Sequence, residues 1–389
     1  MKRKKWETGG ARAGHLGQAF AVLLTVLAMC VCGVIIGRSM EVMADGGRGP
    51  AAVALTFVVL YLGAVLAAFL QIAVHELGHL VCGLLTGYGF VSFRLAGWMI
   101  VKREDGLKLK RFSLPGTGGQ CLLSPPEPEN GRFPYALYDL GGVLFNRLAA
   151  AVSFALALIP YGFFPVTAFW LISGIIGAMF ALTNGIPLRL NLMDNDGRNA
   201  LDLKRGAEAR RCLRAQLQIN AAMAWGVRLK NMPDEWFAPP AGEARRSSIC
   251  AAVSVFACLR EMDRLRFSSA AQMAEELLGS DAGLAGVHRY ILASQVIFCE
   301  LVGENRPDVL ETYRTKGYLR FEKAMRGDPS ILCVRYAWEL LANRNEPAAE
   351  AVLAQFERAA KTYPHESEIE SDRELLACAA AAGAAANRG

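Results

Sequence analysis

The first half of the chain consists of long apolar runs separated by charged segments. Charges are absent from residues 16–37, from 50–74 and from 148–188. A helix needs about 20 apolar residues to cross the hydrocarbon core of a bilayer, so each of the first two runs predicts one span. The third run has 41 residues, with Pro160 and Gly162 near its middle, which indicates two spans joined by a turn. The pattern therefore predicts four transmembrane helices.

The run at 16–37 follows several basic residues, as a secretory signal peptide would. A cleavable signal has an apolar region of about 7–15 residues, so this run of 22 is interpreted as a retained anchor. The second run behaves differently at its end. It continues through His75 and Glu76 into another apolar stretch that reaches Leu85. Polar residues are therefore expected inside the second span.

The remaining sequence, beyond about residue 205, is charged, rich in alanine and typical of soluble helices. A weak repeat relates residues 301–307 to residues 341–347, which lie 40 positions later. Each copy is expected to end one helix and begin another, as in stacked helix pairs. A tetratricopeptide-like array that offers a concave surface to a protein partner fits this pattern. An ordinary helical bundle that supports the membrane part fits it equally well.

The loop between the second and third spans has a strand-like pattern over residues 88–112. Apolar and polar positions alternate there, and Asp105-Gly106, preceded by Glu104, favours a tight turn. We expect a small β-hairpin close to the membrane, followed by a glycine-rich loop over residues 116–126. These glycines do not indicate nucleotide binding, because the lysine and helix of a phosphate-binding loop are missing.

Composition and charge agree with a membrane half and a soluble half. Hydrophobic residues make up 53% and charged residues 20% of the chain, against about 45–50% and about 25% in soluble domains. The loop after the second span carries seven lysines and arginines, whereas the loop after the first carries Arg48 besides Arg38 at its edge. The positive-inside rule then predicts that the N-terminus, the long loop and the C-terminal half are cytoplasmic. The net charge of +6 largely reflects this asymmetry, and no nucleic-acid partner is expected.

Candidate chemistry lies inside the second span, where residues 75–79 read His-Glu-Leu-Gly-His. Residues four apart lie on one face of a helix, so His75 and His79 can bind one metal ion while Glu76 lies beside it. Three ionisable side chains in five membrane residues are costly, and a bound divalent ion would compensate that cost. Zinc suits these ligands. The alternative is a pair of structural histidines that hydrogen-bond to neighbouring helices.

A third metal ligand must come from another part of the chain. The last apolar run ends at Asn184-Gly185-Ile186-Pro187, where glycine and proline should break the helix. Irregular backbone at membrane depth is tolerated only where it lines a cavity. The segment that follows contains Asp194 and Asp196, and a carboxylate from it could approach the metal.

Three motifs together resemble the site-2 proteases, a family of zinc metalloproteases that cut substrates within the membrane. The family has HExxH on one helix, as here at 75–79, then Gly-Pro-x-x-Asn on the next. Residues 142–146 match the second motif except that Val143 replaces its proline. The third motif, Asn-x-x-Pro followed by Asp-Gly, is matched by Asn184 and Pro187 and, after a longer gap than usual, by Asp196-Gly197. The likeness covers roughly residues 50–205.

The resemblance implies a zinc endopeptidase in which His75, His79 and Asp196 hold the metal, with Asp194 as the alternative third ligand. Zinc would lower the pKa of its bound water toward about 7, and Glu76 would act as general base. Asn146 and Asn184 would hold the substrate backbone or stabilise the oxyanion; hydrogen bonds between helices are the alternative role for both. If the hairpin captures unwound substrate on an open edge, proline at Val101 or Leu109 should lower cleavage.

We therefore expect an α-helical polytopic membrane protein with about four transmembrane helices, a membrane-adjacent β-hairpin and a C-terminal repeat-like helical domain. Its expected parts are an N-terminal tail, first span and extracytoplasmic loop (1–49), a metalloprotease core (50–205) with its loop (86–135), and a cytosolic helical domain (206–389). Expected partners are the lipid bilayer, a membrane-protein or peptide substrate and a protein at the helical domain. The alternative function is a catalytically silent, metal-binding membrane scaffold.

Overall fold

The computed structural model describes residues 5–8, 11–103, 105–112, 117–128, 133–191 and 193–386. Parts of three predicted features lie outside these residues: Glu104 in the hairpin turn, Gly116 in the glycine-rich loop and Arg132 among the basic residues of the long loop. The helices are α1 (Lys5–Thr8), α2 (Ala11–Asp45), α3 (Pro50–Leu85), α4 (Ala136–Ala157), α5 (Phe164–Gly185), α6 (Asp196–Arg205), α7 (Ala207–Ala224), α8 (Ser248–Asp263), α9 (Phe267–Gly279), α10 (Gly286–Val302), α11 (Pro307–Tyr313), α12 (Lys316–Ala324), α13 (Pro329–Ala337), α14 (Glu346–Ala360) and α15 (Glu366–Ala386), and the strands are β1 (Gly89–Leu95), β2 (Trp98–Arg103), β3 (Gly106–Arg111) and β4 (Gly119–Ser124).

Four helices, α2 to α5, are long and apolar enough to cross a membrane. Most large apolar side chains of α2 and α3 are exposed on the surface of the protein, which is the pattern expected for contact with lipid. The predicted turn inside the third apolar run is confirmed, because α4 ends at Ala157 and α5 begins at Phe164 with Pro165 in its first turn. The four predicted spans are thus present as helices.

Close helix packing brings α3 against α4. A Cβ atom added to Gly78 on α3 would overlap with the backbone of Gly141 on α4, and the reverse is also true. Small residues allow such backbone approach in membrane helices, where van der Waals packing replaces the hydrophobic effect. The two helices therefore meet next to the motif at 75–79.

The strands form one antiparallel sheet in the order β3-β2-β1-β4. The predicted hairpin is present as β2 and β3, and β1 pairs with both β2 and β4. The prediction of a loop over residues 116–126 was wrong for its central part, because Gly119–Ser124 is the edge strand β4. This segment lacks alternation of apolar and polar residues, and its pairing with β1 supplies the hydrogen bonds that make it a strand. The strands β1 and β4 lie against α3.

The C-terminal helices α8 to α13 and α15 surround the largest apolar core of the described residues, and α14 packs in a second, smaller core with α13 and α15. The N-terminal segment joins this core through Trp6, whose indole donates a hydrogen bond to Thr312 O at 3.1 Å and packs edge-on against Tyr290. The first repeat copy, residues 301–307, includes the end of α10 and the start of α11. The second copy, residues 341–347, includes the end of a π-helical turn (Trp338–Ala342) and the start of α14. A tetratricopeptide-like arrangement of these helices stays a prediction.

Candidate metal centre

The two histidines of the HExxH motif lie one turn apart on α3 and point toward α4 and α6. Their Nε2 atoms are 3.1 Å apart. The Oδ2 atom of Asp196, the first residue of α6, lies 3.1 Å from Nε2 of His75 and 3.5 Å from Nε2 of His79. All three side chains are largely buried. The structure thus brings together residues that are more than one hundred positions apart in the sequence.

The other ring nitrogens of the histidines are held by oxygen atoms. Nδ1 of His79 donates to the backbone oxygen of Tyr138 at 2.8 Å, and Nδ1 of His75 donates to Oδ1 of Asn146 at 2.7 Å. Asn146 is oriented by Gln71, because its amide nitrogen donates to both oxygens of that residue. These partners can only accept, so the proton of each neutral imidazole is on Nδ1 and its Nε2 lone pair faces Asp196.

When both imidazoles are neutral, three lone-pair atoms therefore converge with no proton between them. Oδ2 of Asp196 is buried and has no hydrogen-bond partner among the described residues. Tetrahedral zinc ligands at about 2.0–2.1 Å lie about 3.3–3.4 Å from one another, which is close to the spacing found here. Hydrogen bonds from Nδ1 to an oxygen atom, as seen here, hold the ring of a metal-bound histidine in its orientation. The geometry and the chemistry of this donor set both fit a divalent cation such as zinc.

The approach of Asp196 depends on how α5 ends and α6 begins. The amide of Asn195, which caps α6, donates to the backbone oxygens of Thr183 and Ile186, both at 2.7 Å. Its Oδ1 accepts hydrogen bonds from the backbone N–H groups of Leu188 and Arg198. One buried side chain thereby satisfies both the broken end of α5 and the start of α6. It sets the direction from which Asp196 reaches the histidines.

Gly197 explains why glycine follows the aspartate. A Cβ atom at this position would overlap with the carbonyl of Gly185 at the end of α5. The first turn of α6 therefore packs directly on the end of α5. This contact brings the Asp196 carboxylate level with the histidines of α3 although Asp196 lies beyond the fourth apolar helix.

Asp194, the alternative ligand, is not part of this cluster. Its Oδ2 accepts a hydrogen bond from the Ser248 hydroxyl at 2.6 Å, which links it to α8. The only group of three possible metal ligands within the described residues is His75, His79 and Asp196. Asn184 is also outside the group, and its amide donates to the backbone oxygen of Phe180 within α5.

Glu76 lies between the metal cluster and the start of β4. A Cβ atom at Gly119 would overlap with the side chain of Glu76, so glycine leaves room for the carboxylate beneath the strand. The guanidinium of Arg94 is close enough to Glu76 for electrostatic attraction. It is 1% exposed and is held by hydrogen bonds to Thr117 Oγ1 at 2.5 Å and to Gly119 O at 3.0 Å. A buried positive charge therefore accompanies the candidate base.

Sequence reasoning missed several residues that build this site. Asn195 carried a signal, because asparagine before a helical segment is typical of an N-cap. Tyr138 contributes a backbone oxygen, which any residue could provide, so its identity gave no signal. Gln71 lies one turn before His75 on α3 and could have been noticed as a polar residue on the same face of an apolar helix. Arg94 was counted only as one of the charges that set the membrane orientation.

Gly142 provides a direct test of the histidine geometry. A Cβ atom there would lie 2.5–2.7 Å from three atoms of the His75 ring. We expect Gly142→Ala to displace the imidazole and to weaken zinc binding about 10–100-fold. This range is typical for loss of a hydrogen bond that orients a metal ligand. Competition with a chromogenic chelator measures this affinity. Gly33→Ala is the matched control, since nothing lies within 4 Å of its added Cβ on α2; equal affinity of the two variants would contradict the geometry.

Comparisons with family models, with curated proteins and with solved structures found no match for this chain. The likeness to site-2 proteases therefore rests on the residues of the three motifs.

Proposed function

We propose that this protein is a zinc endopeptidase that hydrolyses a peptide bond in or near a membrane-spanning segment of its substrate. One observation carries the proposal: two imidazole nitrogens and a carboxylate oxygen converge within 3.5 Å of one another beside a further carboxylate, Glu76. Such an arrangement is unfavourable without a cation. A structural cluster of histidines would have no need for Glu76, whereas a hydrolase needs a base next to its water.

His75, His79 and Asp196 would hold the ion with one coordination position open for water or substrate. When bound, zinc acidifies a water molecule and polarises the scissile carbonyl. The Glu76 carboxylate accepts a proton from the attacking water as its oxygen bonds to the carbonyl carbon. Glu76 then delivers that proton to the amine nitrogen as the C–N bond breaks. Proton uptake and release balance within one turnover, so no other acid is required.

Asn146 and Gln71 take a supporting role in this proposal. The polar atoms of Asn146 contact His75 and Gln71, and the residue is fully buried. These contacts favour orientation of the metal ligand over direct contact with substrate. Asn184 is less enclosed and stays the candidate for substrate contact, although it now bonds only within its own helix.

The position of the site supports a substrate within the membrane. The motif lies inside the apolar helix α3, and Leu85 at the end of this helix is nine residues beyond Glu76. At about 1.5 Å per residue the catalytic carboxylate is roughly 14 Å from that end. Trp6 contacts the C-terminal helices, so the N-terminal segment lies beside the helical domain. Four membrane crossings would leave these two parts on the same side of the membrane, in agreement with this contact. The charge bias of the long loop favours the cytoplasm for this side.

Removal of metal tests the proposal most simply. A purified sample is expected to cleave a membrane-anchored reporter peptide, to lose that activity with a zinc chelator and to regain it with stoichiometric Zn²⁺. The reason is that no other group near Glu76 can activate the water to a comparable degree. Product formation is followed by mass spectrometry. Cleavage that persists after the metal content falls to zero would rule out the proposed mechanism.

The open edge of β4 supports a way to present an unwound substrate. The hydrogen bond from Ala96 N–H to Gly118 O, at 2.8 Å, shows which residues of β4 exchange hydrogen bonds with β1. Peptide groups alternate in direction along an antiparallel ladder, so those of Gly119 and Cys121 face away from β1. Gly119 O already accepts from Arg94 and Cys121 O from the Tyr138 hydroxyl, which leaves the two N–H groups as donors for an added strand. Since Gly119 lies over Glu76, an added substrate strand at this edge would pass the metal cluster. In the proposal, β4 replaces the hairpin edge at β3 as the docking strand.

Proline at Cys121 is therefore expected to lower cleavage at least tenfold without removing zinc, because it deletes an outward N–H while leaving the ladder with β1 intact. Leu109→Pro on the opposite edge is the matched control. The hydrogen bond from Phe112 N–H to Gly97 O shows which residues of β3 exchange hydrogen bonds with β2. By the same alternation, the N–H of Leu109 faces away from β2. Initial rates on the same reporter compare the two; equal rates would count against docking at β4.

A further inference from the structure

A second cleft lies between the sheet and the C-terminal helices, away from the metal cluster. Its volume is about 360 Å³, and its walls come from β1, β2 and β4 on one side and from α7, α8, α10, α13 and α15 on the other. Volumes of about 300–1,000 Å³ are typical of small-molecule sites. The walls are mostly apolar and include Met99, Met223, Met262, Ile291, Phe298 and Leu375.

A few polar side chains in this cleft lack partners. Asp372 on α15 is 6% exposed, and its carboxylate accepts no hydrogen bond from the described part of the chain. Gln295 on α10 is 5% exposed, and both polar atoms of its amide are unpartnered among the described residues. The Ser92 hydroxyl, from β1, is a third such group. Buried polar groups are almost always paired in folded proteins, so unpaired groups that face one cleft mark it as a candidate binding site.

The acidic groups of the cleft outnumber its cationic groups. Arg228 is neutralised by Asp263 and Glu374, at 2.5 Å from each, and Lys230 lies 3.4 Å from Glu374. That leaves three further carboxylates without a cation. They are Glu368, Asp328 and Asp372. Among the described residues, Glu368 accepts a hydrogen bond from the Tyr363 hydroxyl at 3.0 Å, and Asp328 caps α13 by accepting from backbone N–H groups.

The remaining cationic groups do not change this balance. Burial lowers the pKa of His365 to about 4, so this ring is neutral near pH 7. Arg103 donates to the backbone oxygen of Pro364 and lies 3.8 Å from the exposed Glu366. Burial and the neighbouring carboxylates raise the pKa of Glu368 to about 8 and that of Asp372 well above its usual range. Near pH 7 these carboxyl groups are therefore protonated, and a cation bound beside them would favour their charged form.

We propose that this cleft binds a lipophilic cation, an organic ammonium group carried on an apolar body. The ammonium would lie against the Asp372 carboxylate and donate a second hydrogen bond to Oε1 of Gln295. Methionine and aromatic side chains suit the apolar body, since thioethers adapt to irregular shapes and π faces attract cations. A metal ion is a poorer fit, because the carboxylates of this cleft do not form a ligand cluster within the described residues.

The test uses 2-phenylethylammonium as the probe and 2-phenylethanol as its uncharged counterpart. Isothermal titration of the purified full chain is expected to show saturable binding of the ammonium and at least tenfold weaker binding of the alcohol. Similar affinity for both, or no binding of the ammonium, would overturn the proposal. This comparison uses the unaltered protein, so it does not depend on any variant folding.

Asp372→Asn then tests the assigned carboxylate. We expect ammonium affinity to fall at least tenfold while the melting temperature stays level or rises, since a buried carboxylate without a partner is removed. A purely structural Asp372 would instead lower the melting temperature. Glu370→Gln, an exposed carboxylate on the same helix, is the control and should leave binding unchanged. Retained affinity in Asp372→Asn would refute the site. Zinc content and peptide cleavage do not enter this result.

Discussion

Replacing Glu76 by glutamine is expected to stop cleavage of a membrane-anchored reporter while one zinc ion stays bound per chain. The Glu76 carboxylate lies beside the metal cluster and beneath Gly119, whereas the ligand atoms belong to other residues. Loss of a general base typically lowers the rate by about 10²–10⁴-fold. Glutamine keeps the size of the side chain and the space beneath Gly119, so the fold and the zinc ligands should not change.

Two measurements made on the same sample separate the possible results. Metal content by mass spectrometry should equal that of the unaltered protein, and product formation should fall to the detection limit. Glu350→Gln, an exposed site on α14, serves as the control for a changed carboxylate. Full processing by Glu76→Gln would exclude Glu76 as the base. Absence of cleavage even in the unaltered protein, with zinc bound, would favour the metal-binding scaffold.

Local sequence patterns predicted the parts of the site that depend on helix geometry. His75 and His79 lie on one face because four residues make about one helical turn, and the apolar context identified the helix itself. Gly185 and Pro187 indicated the end of α5 for a similarly local reason. In each case the information lies within a few neighbouring residues, which is why a single sequence was enough.

Other features depend on contacts between distant segments and could not be predicted in the same way. The strand β4 has little strand character of its own and exists through pairing with β1. The choice between Asp194 and Asp196 depends on how Asn195 and Gly197 seat α6 against α5. The cleft around Asp372 joins β1 to α15, which are more than 270 residues apart, so no local pattern indicated it.

The two aspartates after α5 are expected to behave in opposite ways when each is replaced by alanine. Asp196→Ala should weaken zinc binding by more than about 100-fold, because it removes one of three ligands. This exceeds the effect of losing a hydrogen bond that only orients a ligand. Asp194→Ala should keep zinc and activity and should lower the free energy of unfolding by about 1–3 kcal/mol, since it breaks a hydrogen bond to Ser248. Zinc affinity by chelator competition and denaturant unfolding measure the two effects. Strong zinc loss in Asp194→Ala, with zinc retained in Asp196→Ala, would reverse the assignment of the third ligand.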